Sequence, residues 1–191
     1  MKSGFLLSVI KQFEYYKLLA EKTFDQLPDE ALHWQYNTES NSIATIVKHL
    51  SGNMQSRWTD IFNTDGEKEW RNRESEFDND ILSRNEMLEY WNTGWTLFFE
   101  TLNSLHADDL DKIIYIRNQG HTVSDAITRQ LAHYPYHIGQ IVYIGKLIAN
   151  TNWKSLSIAR GASDQYNTLK FNAPKQITHF TDEYLPTKEN K

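Results

Sequence analysis

Four segments of the chain carry apolar residues at intervals of three and four, the period of a helix with one buried face. The first stripe is Phe5, Val9, Phe13, Tyr16, Ala20 and Phe24, and Pro28 ends it by pushing its predecessor out of the helical region. The second is Ile43, Ile46, Val47, Leu50, Met54, Trp58 and Phe62, with Ser42 placed to cap it. The third, Leu88, Trp91, Trp95, Phe98, Leu102 and Leu105, follows Ser83 and Glu86 at capping-box spacing. The fourth runs from Val123 through Ile127, Leu131, Ile138, Ile141 and Val142 to Ile148, behind a second cap pair, Thr122 and Asp125. Four such helices of comparable length must bury their stripes against one another, so the expected fold is all-α, a four-helix bundle.

The connections are less regular. Residues 64–80, TDGEKEWRNRESEFDND, read as a solvated link whose Glu67, Glu69, Glu74, Glu76, Asp78 and Asp80 face water. The stretch KIIYIRNQGHTV reads either as two short extended pieces around a Gly-containing turn or as an irregular loop. Beyond Asn150 the stripe stops, leaving one short helix near 162–170 and a frayed final dozen residues. A length of 191 residues suits a single domain, taken as 1–171 with a C-terminal tail over 172–191.

Composition removes several classes of function. A net charge of -5 argues against nucleic acid, whose phosphates need a concentrated basic surface. With no Cys there is no disulfide, thiolate metal site or cysteine nucleophile. No window nears ~18 consecutive apolar residues, so no membrane span is expected. MKSGFLLSVIKQFEYY lacks a small-residue cleavage site and runs directly into the first stripe, which points to a cytoplasmic protein. Phosphate-cradling Gly-rich loops and nucleophile elbows are also missing from the sequence.

What remains is His133-Tyr-Pro-Tyr-His137, two imidazoles one helical turn apart that can reach a single point. Spacing alone fits a metal pair and a pair of packed rings equally. Their face borders the apolar stripe, where an unsatisfied polar group costs about 1–3 kcal/mol, and one cation would satisfy both rings. Pro135 between them removes a backbone bond to Leu131 and should bend the helix. His49, in TIVKHLSGNM on the core side of the second helix, is the candidate third ligand, and Gly52 after it would admit a neighbouring helix. Gln140 and Asn53, each about a turn from a candidate ligand, are candidates to orient one or to hold water. Each of these residues has a plain structural alternative, a satisfied core histidine or a helix-face amide.

The contexts IVKHLSGN and RQLAHYPYHIGQIVYIGK resemble the DinB-like superfamily of helical bundles, which includes metal-dependent bacillithiol and mycothiol transferases and mycothiol-dependent maleylpyruvate isomerases. IRNQGHTVSDAITRQLAHYPYHIGQIVYIGK, WRNRESEF and WKSLSIARGASDQYN resemble an uncharacterised bacterial subfamily of that group. The resemblance implies an up-down-down-up arrangement and a divalent ion held by His49, His133 and His137. Nickel or zinc is implied, with iron or manganese as alternatives, and a homodimer is expected. It further implies a transferase that activates a low-molecular-weight thiol such as bacillithiol against an electrophilic substrate. Arg117 and Arg129 are then candidates for a cofactor carboxylate, with ordinary ion pairs as their alternative. A metal-dependent hydrolase and a non-enzymatic, stress-related metal-binding module stand as rival readings, and no catalytic residue is assigned.

Overall fold

The four long helices each begin at a hydroxyl that accepts a backbone N–H three residues on, satisfying one of the donors a helix start leaves unpaired. The computed structural model describes residues 3–81 and 83–186. Ser3 caps α1 (Gly4–Phe24), Ser42 caps α2 (Ile43–Trp58), Ser83 caps α3 (Arg84–Ser104) and Thr122 caps α4 (Val123–Ala149). A short helix, α5 (Ser163–Asn172), follows without a side-chain cap and without a buried residue. It lies where the sequence suggests a short helix. α4 continues through Pro135 as one helix.

α2 packs along α3, α1 packs along α4, and α2 also meets α4. The approach of α3 to α2 has a local cause. A Cβ on Gly94 would lie 2.9 Å from the Ser51 Cα, so only glycine lets α3 come this near to α2. The centre is aromatic: Phe98 meets Phe13 edge-on at 4.7 Å, Trp58 at 4.9 Å and Tyr134 at 5.3 Å. Full burial of such a ring contributes about 2–3 kcal/mol. The Tyr134 hydroxyl accepts from Trp58 Nε1 at 3.1 Å and donates to Asn53 Oδ1 at 3.2 Å, so its polar end is satisfied inside the core. Tyr134 follows His133 directly, so this packing fixes the helix face on which His133 and His137 stand.

The stripes need two adjustments. Phe5 is exposed, and the inner face of α1 is carried by Leu6, Val9, Ile10 and Phe13 instead. Phe62 lies outside, because α2 ends at Trp58.

The expectation of an all-α fold holds broadly, with one addition. β1 (Ile113–Ile116) and β2 (Gln119–Thr122) form an antiparallel hairpin, Ile113 opposite Thr122 and Ile116 opposite Gln119. Ile114 and Ile116 alternate inward, and the two turn residues Arg117 and Asn118 both have positive φ, 55° and 60°, as a tight two-residue hairpin demands.

The link over 64–80 is not a solvated loop throughout. Asp65 accepts the backbone N–H groups of Arg117 and Asn118, each at 2.8 Å, and Gly66 donates its N–H to the Tyr115 carbonyl at 2.8 Å. Those bonds strap the segment to the hairpin and turn its later part onto α2, where Glu76 is buried. Part of the tail also folds back. Phe180 packs on Tyr15, Lys11 pairs with Asp182 at 2.6 Å, and Thr181 is fully buried, so residues near 180 are docked rather than frayed. Positions 187–191 of that expected frayed end lie outside the described residues. Among the described residues no helix is long and apolar enough to cross a membrane.

Candidate metal centre

The contact between α2 and α4 places the three histidines together. His49 from α2 faces His133 and His137 from α4, with ring centroids 5.6 and 5.0 Å away, and the two α4 rings are 4.8 Å apart. Each ring offers a nitrogen, and these nitrogens all lie within 4.8 Å of one another. Among the described residues this is the group of His and acidic side chains close enough to hold an ion.

The outer nitrogen of every ring is already engaged. His49 Nδ1 donates to Glu76 Oε2 at 2.9 Å, His133 Nδ1 to Gln130 Oε1 at 3.2 Å and His137 Nδ1 to Gln140 Oε1 at 2.8 Å. An oxygen acceptor at Nδ1 requires the proton there, which leaves Nε2 of each ring as a lone pair. His133 Nε2 and His137 Nε2 then face each other at 3.1 Å. Two lone pairs at that distance repel unless a cation lies between them. Ligands about 2.1 Å from one ion, at angles between octahedral and tetrahedral, stand about 3.0–3.4 Å apart, so the pair suits adjacent coordination positions. The donor set therefore fits a divalent ion bound by one ring nitrogen from each of the three histidines.

The electrostatics agree. Burial, reinforced by the rings of His137 and His49, depresses His133 to about 3, so it stays neutral through the physiological range. Burial likewise lowers His137. Around His49 the pattern is ionic. Burial alone would raise the Glu76 carboxyl, yet the hydrogen bonds from His49 and Arg71 outweigh it and hold Glu76 below its usual range. Arg71 grips Glu76 with two nitrogens, Nε to Oε1 at 2.7 Å and NH2 to Oε2 at 2.9 Å. Glu67 next accepts from Arg57 at 2.9 Å, from Arg71 at 3.5 Å and from Arg117 at 3.1 Å.

The residues singled out from sequence fall into distinct places. Gln140 is hydrogen-bonded to His137. Asn53 is bonded to Tyr134 rather than to a histidine. Gly52 admits a carboxylate and not a helix: a Cβ there would lie 2.2 Å from Glu76 Oε1. Arg117 sits in the hairpin turn with its guanidinium on Glu67. Arg129 is exposed on α4, one turn before His133, where its charge adds to the depression of that ring. Glu76, expected to face water, is instead buried against His49, while Arg71 and Gln130 carry no expectation from the sequence. Gln130 mirrors Gln140 at three residues before the pair. Glu76 has a weaker marker, the neighbouring Phe77 in an otherwise charged run, whose ring stacks on His49 at 4.9 Å.

Gln140 also lines a groove of about 460 Å³ between the segment 34–41 and the outer face of α4.

A family model described as "Protein of unknown function (DUF1572)" matches residues 1–162. No curated protein matches the chain. Among solved structures, a conserved protein from Enterococcus faecalis shares the fold with a TM-score of 0.56 and 17% identity, over 77% of this chain and 97% of that one.

Proposed function

We propose, for a chain that belongs to the DUF1572 family of proteins of unknown function, that it is a divalent-metal protein whose ligands are the Nε2 atoms of His49, His133 and His137. The observation that carries this reading is the common arrangement of the three rings. Each has its Nδ1 bonded to an oxygen acceptor, and the two α4 rings turn bare Nε2 atoms toward each other at 3.1 Å. Acceptors behind ligating histidines fix the ring and raise its basicity, which is how protein metal sites are commonly tuned.

Three protein ligands leave coordination positions open, the pattern of a site that does chemistry. A divalent ion bound there would lower the pKa of a thiol or water that enters an open position. Of the two, the thiol is favoured. Glu76, the carboxylate at the triad, has its oxygens engaged by His49 and Arg71 and is not free to take a proton from water. The resemblance to DinB-like thiol transferases points the same way. We therefore read the protein as a transferase in which the sulfur of a small thiol such as bacillithiol attacks an electrophilic carbon, forming an S–C bond as the leaving group departs.

Metal retention tests the site. Wild-type protein loaded with nickel or zinc and desalted should keep close to one ion per chain, while His133→Ala keeps little; equal retention by both would sink the metal reading. Monochlorobimane and bacillithiol test the chemistry. Conjugation should exceed the uncatalysed rate with metal-loaded wild type and fall to it with His133→Ala. Retained metal without conjugation would leave the site and remove the transferase.

A further inference from the structure

The groove beside the triad is lined by residues that a soluble surface seldom gathers without a use. Trp34, Tyr36 and Tyr143 stand partly or largely exposed around it, and Ile46, Ile144 and Leu147 complete its apolar lining. Contiguous apolar patches of this kind mark binding sites more often than scattered single residues do. Its volume of about 460 Å³ falls within the range of small-molecule sites. Glu39 is the single charged residue in its lining; no Lys or Arg takes part. The groove is thus suited to flat aromatic molecules that are neutral or cationic, and it disfavours anions. Arg117 and Arg129, the cations nearest in kind to a carboxylate site, are absent from it.

Gln140 ties the groove to the triad. The same amide that accepts from His137 Nδ1 at 2.8 Å lines the groove, and Ile46 lies one turn before His49 on α2. An occupant therefore ends against the side chain that sets the orientation of one ring.

We propose that this groove binds the organic acceptor of the reaction, an aromatic molecule without negative charge. The role of acceptor rests on the reading of the triad as a metal centre; the binding itself does not. Aromatic walls supply the affinity, through apolar burial and ring stacking. Glu39 supplies the choice of charge.

Fluorescence anisotropy of two probes with the same ring system, 1-naphthylmethylamine and 1-naphthoate, tests this on metal-free, full-length protein at neutral pH. The ammonium probe should bind saturably, one per chain, and about fivefold more tightly than the carboxylate. Glu39→Gln should bring the two affinities level. Tyr143→Ala should weaken both about five- to tenfold, and since the side chain is 64% exposed the fold should survive the change. Absence of saturable binding, equal or tighter binding of naphthoate by wild type, or indifference to Tyr143→Ala would each overturn the proposal. So would probe binding that disappears as protein concentration rises, the sign of a second copy seated in the groove. In cobalt-loaded protein the ammonium probe should shift the visible bands; unchanged bands would detach the groove from the triad and overturn the assignment of its occupant as acceptor. The probe titrations contain no metal, so their failure is distinguishable from a failure of metal retention.

Discussion

The two walls of the triad are built by opposite means. On α4, each histidine is steadied by a glutamine of its own helix, Gln130 three residues before His133 and Gln140 three residues after His137. Both supports are neutral, and both are in place once the helix has formed. On α2, His49 leans on Glu76, 27 residues away in the chain, and Glu76 is held in turn by Arg71. That wall is ionic, and it exists only when the strap over 64–80 has docked on the helix and the hairpin. A local neutral support tunes a ligand without bearing on the fold. A distant ionic one joins ligand geometry to stability, because buried charges lose heavily when one partner is removed.

Glu76→Ala tests the ionic wall most severely. It leaves the Arg71 guanidinium, whose side chain is 2% exposed, with only the longer contact to Glu67 and takes the acceptor from His49. The expected loss is about 3–5 kcal/mol of folding stability, read from the urea midpoint. Metal affinity, read by calorimetric titration, should fall about 10–100-fold. If affinity fell while the urea midpoint stayed put, the strap would be a local support after all and the contrast between the walls would vanish. Gly52→Ala is the subtler form of the same perturbation, since the new Cβ collides with Glu76 Oε1.

The neutral wall should respond differently. Gln140→Ala and Gln130→Ala are each expected to lower metal affinity about tenfold while costing less than about 1 kcal/mol of stability. The 2.8 Å bond of Gln140 is shorter than the 3.2 Å bond of Gln130, so Gln140→Ala should have the larger effect of the two. A fall in stability approaching that of Glu76→Ala would show the amides to be structural.

The same contrast explains what could be read from the sequence. The caps Ser42, Ser83 and Thr122, the apolar stripes and the His133/His137 pair are all relations within one helix, where periodicity fixes geometry. Gln140 belongs to that class and is legible, and Gln130 stands in the mirror-image relation, three residues before His133. Glu76 lies in TDGEKEWRNRESEFDND, where seven acidic and three basic side chains are interspersed without a period. Nothing local separates the one carboxylate that will be buried from those that meet water. Its burial depends on an arginine five residues away, a histidine on another helix and a hairpin that pins the strap at Asp65. The hairpin is half legible: two extended pieces are expected, but around a Gly-containing turn, whereas the turn falls on Arg117 and Asn118, both at positive φ, and Gly120 lies within β2.

Asp65 offers the finest test of whether the strap docks as a unit. Burial would raise its carboxyl slightly, but the N–H groups of Asn118, Glu67 and Arg117 outweigh that and hold it below the usual range. A carboxylate with a folded pKa below its unfolded value of about 3.9 adds stability that is present above that value. The contribution is lost as pH falls through the lower, folded value. Asp65→Asn presents an amide N–H where Asn118 needs an acceptor, much as protonation does. It should cost about 1 kcal/mol at pH 7, a charge-assisted bond discounted for its nearness to solvent. The difference from wild type should then shrink as pH drops below about 4, read from urea midpoints across pH. Metal retention at pH 7 should be unchanged, because Glu76 keeps its own clamp on Arg71 and needs the hairpin only to bring the strap into reach. Loss of metal in Asp65→Asn would mean that the strap docks all at once, and the ionic wall would extend from the triad to the hairpin turn.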